Sequence, residues 1–500
     1  MKTNYFLFYC FVYCRNYFKS MSKSKILILI LAVFLLSDLT YSFFQYYYIP
    51  LDGDISSGAF PSAHVQQVLD DPFAFHLLST GEKHVNPNRF FAHFFFKEYM
   101  QKVPIWLQSL TNPITSVYLS SAIIKILIHF LFIFILAALI SGTKNMLDKK
   151  FLICAALIVP FIQANGYWGH MGINDKSTTY TFFYALPLVV LMLFLMPFYR
   201  IVVNKGIPKI SILHSVLLFA FAIVLPLSGP LNPAIVLIVS VLIGFHYLWH
   251  SVQEGNSVSA SNLLSGLRKI PVQVYIFMIP ICLVSLYSLF LGRFDLNYSS
   301  ETIPLVDRYL KLPLGIYYQV SQSLGVPLLL IIIVVNVFLM KKQLHSPEGQ
   351  KIVRSLKWIG IFTAIYLLLL PMGGYRPYRP NILRYDTFMP ITVALLYFYG
   401  MSTFFLLRNL KLRIRNAYLT GLLAFFAIYM NADRLEKDQY TCERKALEFL
   451  ATSPDEVTLL PTNCKVMSWN IFSDPKRSEM NAEMLKFWGI TKQKKRYYHH

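Results

Sequence analysis

Long apolar stretches alternate with short polar segments along most of the chain. A helix needs about 20 mainly apolar residues to cross the hydrocarbon core of a bilayer. By that measure the pattern predicts about 11 membrane-spanning helices, with an error of about one. The predicted spans are residues 26–47, 116–140, 151–164, 180–199, 210–226, 234–249, 271–291, 324–340, 358–371, 387–407 and 418–430.

Composition agrees with an all-α polytopic membrane protein. Hydrophobic residues make up 55% of the 500 residues, charged residues make up 14%, and the mean hydropathy is +0.49. Soluble proteins carry about 25% charged residues. The net charge of +21 does not indicate a nucleic-acid partner, because the basic residues lie in short loops between apolar runs, as topology signals do.

The distribution of Lys and Arg predicts the orientation. With the N-terminus in the cytoplasm, the inner segments hold 22 of these residues and the outer loops before the tail hold 11. Cytoplasmic loops carry the excess of positive charge. An odd number of spans then places the C-terminus outside, and we expect the membrane to be a bacterial inner membrane.

The chain is expected to have three parts. Residues 1–20 form an N-terminal extension, because Met21 opens a basic flank followed by a long apolar run. Residues 21–430 form the transmembrane helical bundle, and residues 431–500 form a polar, extracytoplasmic tail. The bundle has four long outer loops with mixed polar residues, at 48–115, 165–179, 292–323 and 372–386.

The tail is predicted to be a small α/β unit. Residues 441–451 favour a helix with Thr441 as its N-cap, and residues 456–461 and 464–472 favour two paired strands. In an oxidising compartment Cys442 and Cys464 can form a disulfide. Residues 492–496 indicate a solvated basic run or a patch for anionic lipid.

The first outer loop carries two carboxylates around Gly53, directly after the first span. Asp52 and Asp54 are candidate catalytic residues, because one of them can act as a general base. Together they are candidate ligands for a divalent cation, Mg or Mn. The alternative is an Asp-Gly turn at a helix end. Further along, residues 89–108 predict an amphipathic helix in the membrane interface.

Two other outer loops supply candidate substrate-binding residues. His170, Asp175 and Lys176 lie in a glycine-rich segment whose other interpretation is a structural turn. Arg376, Arg379 and Arg384 lie close together in the loop before the tenth span. Guanidinium groups bind phosphate in bidentate fashion, which favours a lipid-phosphate site. The alternative for the arginines is salt bridges to nearby aspartates, Asp52, Asp54 or Asp386.

The predicted spans themselves hold few ionisable groups. Ion-coupled transporters usually place charged or strongly polar residues at mid-membrane. No P-loop, nucleophile elbow or Rossmann fingerprint occurs in the sequence. The ionisable residues within the spans are Asp38, Lys125, His129, His214 and His246.

The layout resembles the GT-C class of polytopic membrane glycosyltransferases, which take a sugar from a polyprenyl-phosphate donor. In that class a long outer loop follows the first helix, carries an acidic residue or pair near its start, and contains interfacial helices. The LDGD motif at 51–54 and the loop to residue 115 look like that arrangement. The resemblance implies Asp52 or Asp54 as base, the three arginines as lipid-phosphate ligands, and a glycan, lipid or protein acceptor.

Two other classes of function remain open from the sequence. A lipid-linked sugar flippase or other transporter would also have many helices and basic residues. A non-catalytic assembly protein of an envelope polysaccharide system would tolerate loss of the acidic pair and of the arginines.

Overall fold

A computed structural model describes most of the chain. The described residues are 22–164, 171–204, 210–229, 231–255, 257–297, 303–321, 324–343, 346–374, 379 and 381–499. The predicted N-terminal extension, His170 and Arg376 lie outside them.

The described residues form a helical bundle with a small tail. Helix α8 combines Thr178–Tyr180, a π-helical turn at Thr181–Ala185 and Leu186–Asn204. The other helices are α1 (Lys23–Tyr47), α2 (Ile55–Ala59), α3 (Ala63–Asp70), α4 (Phe75–Thr80), α5 (Phe90–Leu107), α6 (Pro113–Ser141), α7 (Lys149–Ile158), α9 (Ile212–Val224), α10 (Leu231–Glu254), α11 (Ala260–Arg268), α12 (Val272–Leu291), α13 (Leu305–Leu310), α14 (Leu312–Ser321), α15 (Gly325–Gln343), α16 (Pro347–Leu369), α17 (Tyr385–Asn409), α18 (Leu412–Ala432), α19 (Asp438–Thr452) and α20 (Glu479–Phe487).

Eight of the described helices are long and apolar enough to cross a membrane. They are α1, α6, α8, α10, α12, α15, α16 and α17. The other three predicted spans correspond to α7, α9 and α18, which are shorter or less apolar. The all-α, multi-pass architecture is therefore confirmed, and the number of crossings stays a prediction.

Local signals set the ends of the longest helix, α6. The side chain of Asn112 accepts a hydrogen bond from Thr115 N at 2.9 Å, and Pro113 occupies the first helical position. Both features favour a helix start. Gly142, with a φ of 77°, ends the helix in the left-handed conformation that glycine adopts readily.

The first loop, the tail and several helix ends meet at one end of the bundle, here called the site end. Backbone hydrogen bonds of 3.1 and 3.0 Å join His84 to Phe294 and Leu296 after α12. At the end of α1, Gln45 Nε2 donates to Asp433 O at 2.8 Å. The loops predicted to share one side of the membrane therefore do share one end of the bundle.

The predicted interfacial helix is confirmed as a helix, α5. One face buries Ala92, Phe96 and Met100 against the bundle, while Phe95 and Trp106 are exposed. This two-sided pattern is typical of a helix that lies at a membrane surface.

The strand pairing observed in the tail differs from the predicted one. Strand β1 (Val457–Leu459) pairs in parallel with β2 (Arg496–Tyr498), and no strand forms within 464–472. Thr441 is not an N-cap, because α19 begins one turn earlier at Asp438. The predicted disulfide between Cys442 and Cys464 is present.

The prediction of a solvated basic run over residues 492–496 holds for Lys492, which is exposed, but not for the whole run, and a role as a patch for anionic lipid stays a prediction. Lys494 forms ion pairs with Glu479 and Glu483 on α20. Lys495 is buried and donates to Leu450 O at 3.3 Å. Arg496 belongs to β2. These residues therefore hold the C-terminal strand against the tail helices.

Candidate functional site

Asp52 links the first loop to the start of α8. Its carboxylate accepts hydrogen bonds from Thr179 N at 3.1 Å and from Thr179 Oγ1 at 2.7 Å. It also accepts one from Asp54 N at 3.1 Å, so the turn predicted for the Asp-Gly sequence is present as well. Asp52 is 6% exposed. Its main effect is therefore to fix the acidic loop on the helix bundle.

Asp54 is more exposed than Asp52. It sits at the N-cap position of α2 and is half-buried. Its carboxylate is close enough to Tyr180 of α8 to interact electrostatically with the phenol. Of the two candidate carboxylates, Asp54 is the more accessible, and its role as a general base stays a prediction.

Arg379 approaches the same tyrosine from the loop before α17. Its Nη2 donates to Tyr180 Oη at 2.9 Å, and its guanidinium carbon is 6.0 Å from the centre of the Tyr180 ring. The structure therefore brings Asp54 and Arg379, which are 325 positions apart in the sequence, to one aromatic residue. We call Asp54, Tyr180 and Arg379 the site triad.

Arg384 has a different environment. It forms a salt bridge with Asp386, which is fully buried in the first turn of α17, and its Nη2 lies 3.5 Å from Tyr184 Oη. The alternative of a salt bridge to Asp386 is thus confirmed for Arg384. Its guanidinium stabilises the start of α17 beside the triad.

The second predicted group has structural contacts in the described part of the chain. Asp175 is buried, and its Oδ1 accepts a hydrogen bond from Ser177 N at 2.8 Å. The side chain of Lys176 forms a salt bridge with Glu436 at 2.9 Å. These contacts agree with the turn interpretation. Substrate binding by either residue stays a prediction.

Lys125 interacts with residues of the site, and the sequence analysis did not place it there. It is 1% exposed within α6, and its Nζ donates to Lys176 O. Asp52 and Asp175 are close enough to interact electrostatically with it. The signal in the sequence was a lysine within an apolar span, but its partners lie in two distant loops.

A buried polar cluster continues from Lys125 into the bundle. Asn174 Nδ2 donates to Lys125 O at 3.1 Å and to Tyr46 Oη at 2.9 Å. The Tyr46 hydroxyl in turn lies 3.2 Å from His129 Nδ1. Asp38, on the same helix as Tyr46, interacts with it electrostatically. Three of the ionisable residues in the predicted spans therefore gather in one place.

Glu443 joins the tail to the acidic loop. It is fully buried on α19 and accepts three hydrogen bonds of 2.8 Å, from Leu51 N, Tyr118 Oη and Met467 N. Leu51 directly precedes Asp52. Burial, together with the nearby Asp52 carboxylate, outweighs the opposing effect of the three donors, and the pKa of Glu443 rises from 4.5 to about 7.

The raised pKa of Glu443 predicts a pH dependence for tail docking. Because the folded protein holds the proton more tightly than the unfolded chain, the stabilisation is fully present below about pH 4.5 and is lost as the pH rises through about 7. We expect the temperature at which the tail becomes protease-sensitive to fall across this range. Glu443→Gln should remove most of that slope. Glu448→Gln, on the same helix but exposed, should retain it, and an equal slope in both variants would contradict the assignment.

In this arrangement, Asp52 and Asp54 are not well placed to bind a divalent cation. Both Asp52 oxygens accept hydrogen bonds, and the ammonium group of Lys125 already offers a positive charge. Within the described ranges, no three His, Cys, Asp or Glu side chains form a group that could hold a metal ion. Metal binding by Asp52 and Asp54 stays a prediction and enters no step below.

Comparison with known proteins gives no further guide. No protein-family model, curated protein or solved structure matches this chain.

Proposed function

We propose that this protein is a membrane glycosyltransferase that moves a sugar from a polyprenyl-phosphate donor to an acceptor on the outer face of the membrane. The observation that carries the proposal is the convergence of Asp54 and Arg379 on Tyr180 at the site end. Transfer from a sugar phosphate needs a base for the acceptor hydroxyl and a cation for the leaving phosphate. The site triad provides one of each.

In the proposed reaction, the acceptor hydroxyl attacks the anomeric carbon of the donor sugar. Asp54 takes the hydroxyl proton as the new carbon–oxygen bond forms. The bond between the sugar and the phosphate oxygen breaks, and its electron pair leaves with the polyprenyl phosphate. Arg379 stabilises the negative charge that develops there. Asp52 and Glu443 act as positioning residues for the loop that carries the base.

A small cleft is reached from the triad through Tyr184, whose ring centre lies 5.9 Å from that of Tyr180. It lies between α8, the turn before α10, and α17, and its lining is mainly apolar. Tyr184, which Arg384 contacts, lines it together with Phe183, Leu188, Ile235 and Met389. The neighbouring π-helical turn supports a functional role, since such turns are frequent at functional sites.

The charge distribution supports an outward orientation for the site end. Polyprenyl-linked sugars used outside the cell would reach the triad from the outer leaflet. With the N-terminus in the cytoplasm, the first loop and the tail both lie outside, where the disulfide between Cys442 and Cys464 can persist. We also propose a bacterial inner membrane as the location.

A lipid-linked sugar transporter is the second candidate, and one observation favours it. The polar cluster of Lys125, His129, Tyr46 and Asn174 is buried among helices that otherwise hold few ionisable groups. Polar groups at such depth are typical of transport paths. The cluster is hydrogen-bonded to Lys176 O and interacts electrostatically with Asp52, which also suits a purely positioning role.

The two candidates differ in what happens to the donor. The full-length protein would be placed in vesicles with radiolabelled polyprenyl-phosphate sugars, and a membrane extract would supply acceptors. A transferase releases polyprenyl phosphate and puts the label on a new product. Label that moves to the other leaflet in intact donor, with no release of polyprenyl phosphate, would contradict the proposal and favour transport.

A further inference from the structure

The C-terminal tail places an aromatic side chain in the candidate site. The ring of Trp469 lies 5.9 Å from the ring of Tyr180, at an interplanar angle of 34°. Although most large apolar side chains of the tail are buried, Trp469 is 45% exposed. The tail therefore adds an open indole ring next to the site triad.

The glycine between the two aspartates allows this approach. A Cβ atom on Gly53 would lie 2.5 Å from Trp469 N and 2.6 Å from its Cδ1. Both distances are too short for any side chain. Glycine at this position therefore lets the indole sit directly against the acidic loop.

The turn that presents Trp469 is fixed on both sides. Met467 is buried and has a φ of 45°, a conformation that is strained for a non-glycine residue. Its N–H donates to Glu443 Oε1, and its carbonyl accepts from Asn481 Nδ2 at 3.0 Å. Strained residues that are held in this way cluster at functional sites. The Cys442–Cys464 disulfide ties the segment leading into the turn to α19.

We propose that Trp469 and Tyr180 form a platform for the pyranose ring of the lipid-linked sugar, a role that rests on the proposed function. The face of an aromatic ring carries partial negative charge, which attracts the weakly positive C–H groups on one face of a sugar. Asp54 and Arg379, which both act on Tyr180, are near enough to reach the acceptor hydroxyl and the phosphate of a sugar held there. An apolar surface with a few convergent polar groups is the usual form of a small-molecule site.

The test compares two probes on the full-length protein in lipid nanodiscs. One probe is farnesyl phosphate carrying glucose, mannose, galactose or N-acetylglucosamine, and the other is farnesyl phosphate without a sugar. Trp469→Ala should weaken binding of the best sugar probe by roughly 3- to 10-fold, as expected for a lost aromatic contact. It should leave the sugar-free probe unchanged, and Trp469→Phe should retain most of the affinity.

Two further variants complete the test. Gly53→Ala displaces both the indole and the loop that carries Asp54, so it should weaken binding of the sugar probe at least as much as Trp469→Ala. Trp249→Ala removes another exposed indole, on α10 towards the end remote from the site, and should bind both probes as the wild type does.

An equal loss for both probes in Trp469→Ala would indicate a lipid contact and overturn the platform. A sugar preference that survives in Trp469→Ala overturns the platform alone, whereas a wild type that binds no sugar probe overturns the proposed function with it.

Discussion

In vesicles that hold the purified protein and its polyprenyl-phosphate sugar, Asp54→Asn is expected to slow transfer by roughly 10²- to 10⁴-fold. The substitution keeps the size and polarity of the side chain but removes the group that accepts the hydroxyl proton. Asp54 is half-buried at the start of α2, so we expect the variant to insert and fold like the wild type. The measurement is the initial rate of label transfer at equal amounts of folded protein.

Two variants show whether this loss is specific. Asp70→Asn changes an exposed carboxylate of the same outer loop, whose partner is Gln66, and should leave the rate unchanged. Asp52→Asn should lower the yield of folded protein as well as the rate, because one of its two oxygens becomes a donor facing Thr179. Full activity of the Asp54→Asn variant would remove Asp54 from the mechanism.

The second large effect is expected for Arg379→Ala, with a loss of roughly 10²- to 10³-fold in the rate of transfer. The guanidinium supplies the positive charge that offsets the departing phosphate, and alanine leaves that charge uncompensated. Arg379→Lys should recover part of the rate, since it keeps the charge but loses the planar fork of donors. Binding of polyprenyl phosphate to the variants, measured in parallel, should weaken in the same order.

Arg384→Ala and Arg434→Ala are the matched controls. Arg384 pairs with the buried Asp386, so its loss should destabilise the start of α17 and lower the thermal stability of the protein. Arg434 is exposed at the same end of the bundle and should have little effect on either property. If Arg379→Ala lost stability rather than transfer rate, its role would be structural like that of Arg384.

Hydrophobic patterning predicted most of the helices because each span carries its own signal. The observed helices extend beyond the predicted spans where polar residues continue a helix past its apolar part. Helix α16 begins at Pro347 rather than near residue 358, since its first turns hold charged side chains and its N-terminus is capped by Ser346. An apolar window cannot detect such turns.

The sequence predicted on which end of the bundle the site residues lie, but not which residues they contact. Asp54 and Arg379 were expected at one end of the bundle, because both follow from the alternation of inner and outer loops. It was not expected that Arg379 would donate a hydrogen bond to Tyr180 or that Asp54 would interact with it electrostatically, since Tyr180 was predicted to be the first residue of a span. Likewise, Glu443 and Trp469 reach the acidic loop from about 400 positions away. Nothing local in the sequence encodes contacts at that separation.

The strand pairing in the tail was predicted wrongly for a different reason. Strands of three residues carry too little alternation to fix a partner, so β1 was paired with the nearest extended segment. Parallel pairing with β2 needs a crossover connection, and α20 lies within it. Residues 464–472 are instead held as a turn by the disulfide and by Glu443.

The most direct test asks whether positions 54 and 379 share one cavity that is open to the outside. Cysteines would be placed in the double variant Asp54→Cys/Arg379→Cys, with Cys10, Cys14, Cys154 and Cys282 changed to serine and the tail disulfide kept. A short bifunctional thiol reagent that cannot cross membranes would be added to intact cells. We predict an intramolecular cross-link between the two positions and none in the pair Asp54→Cys/Trp249→Cys. A cross-link that forms only after the cells are permeabilised, or no cross-link at all, would contradict the account.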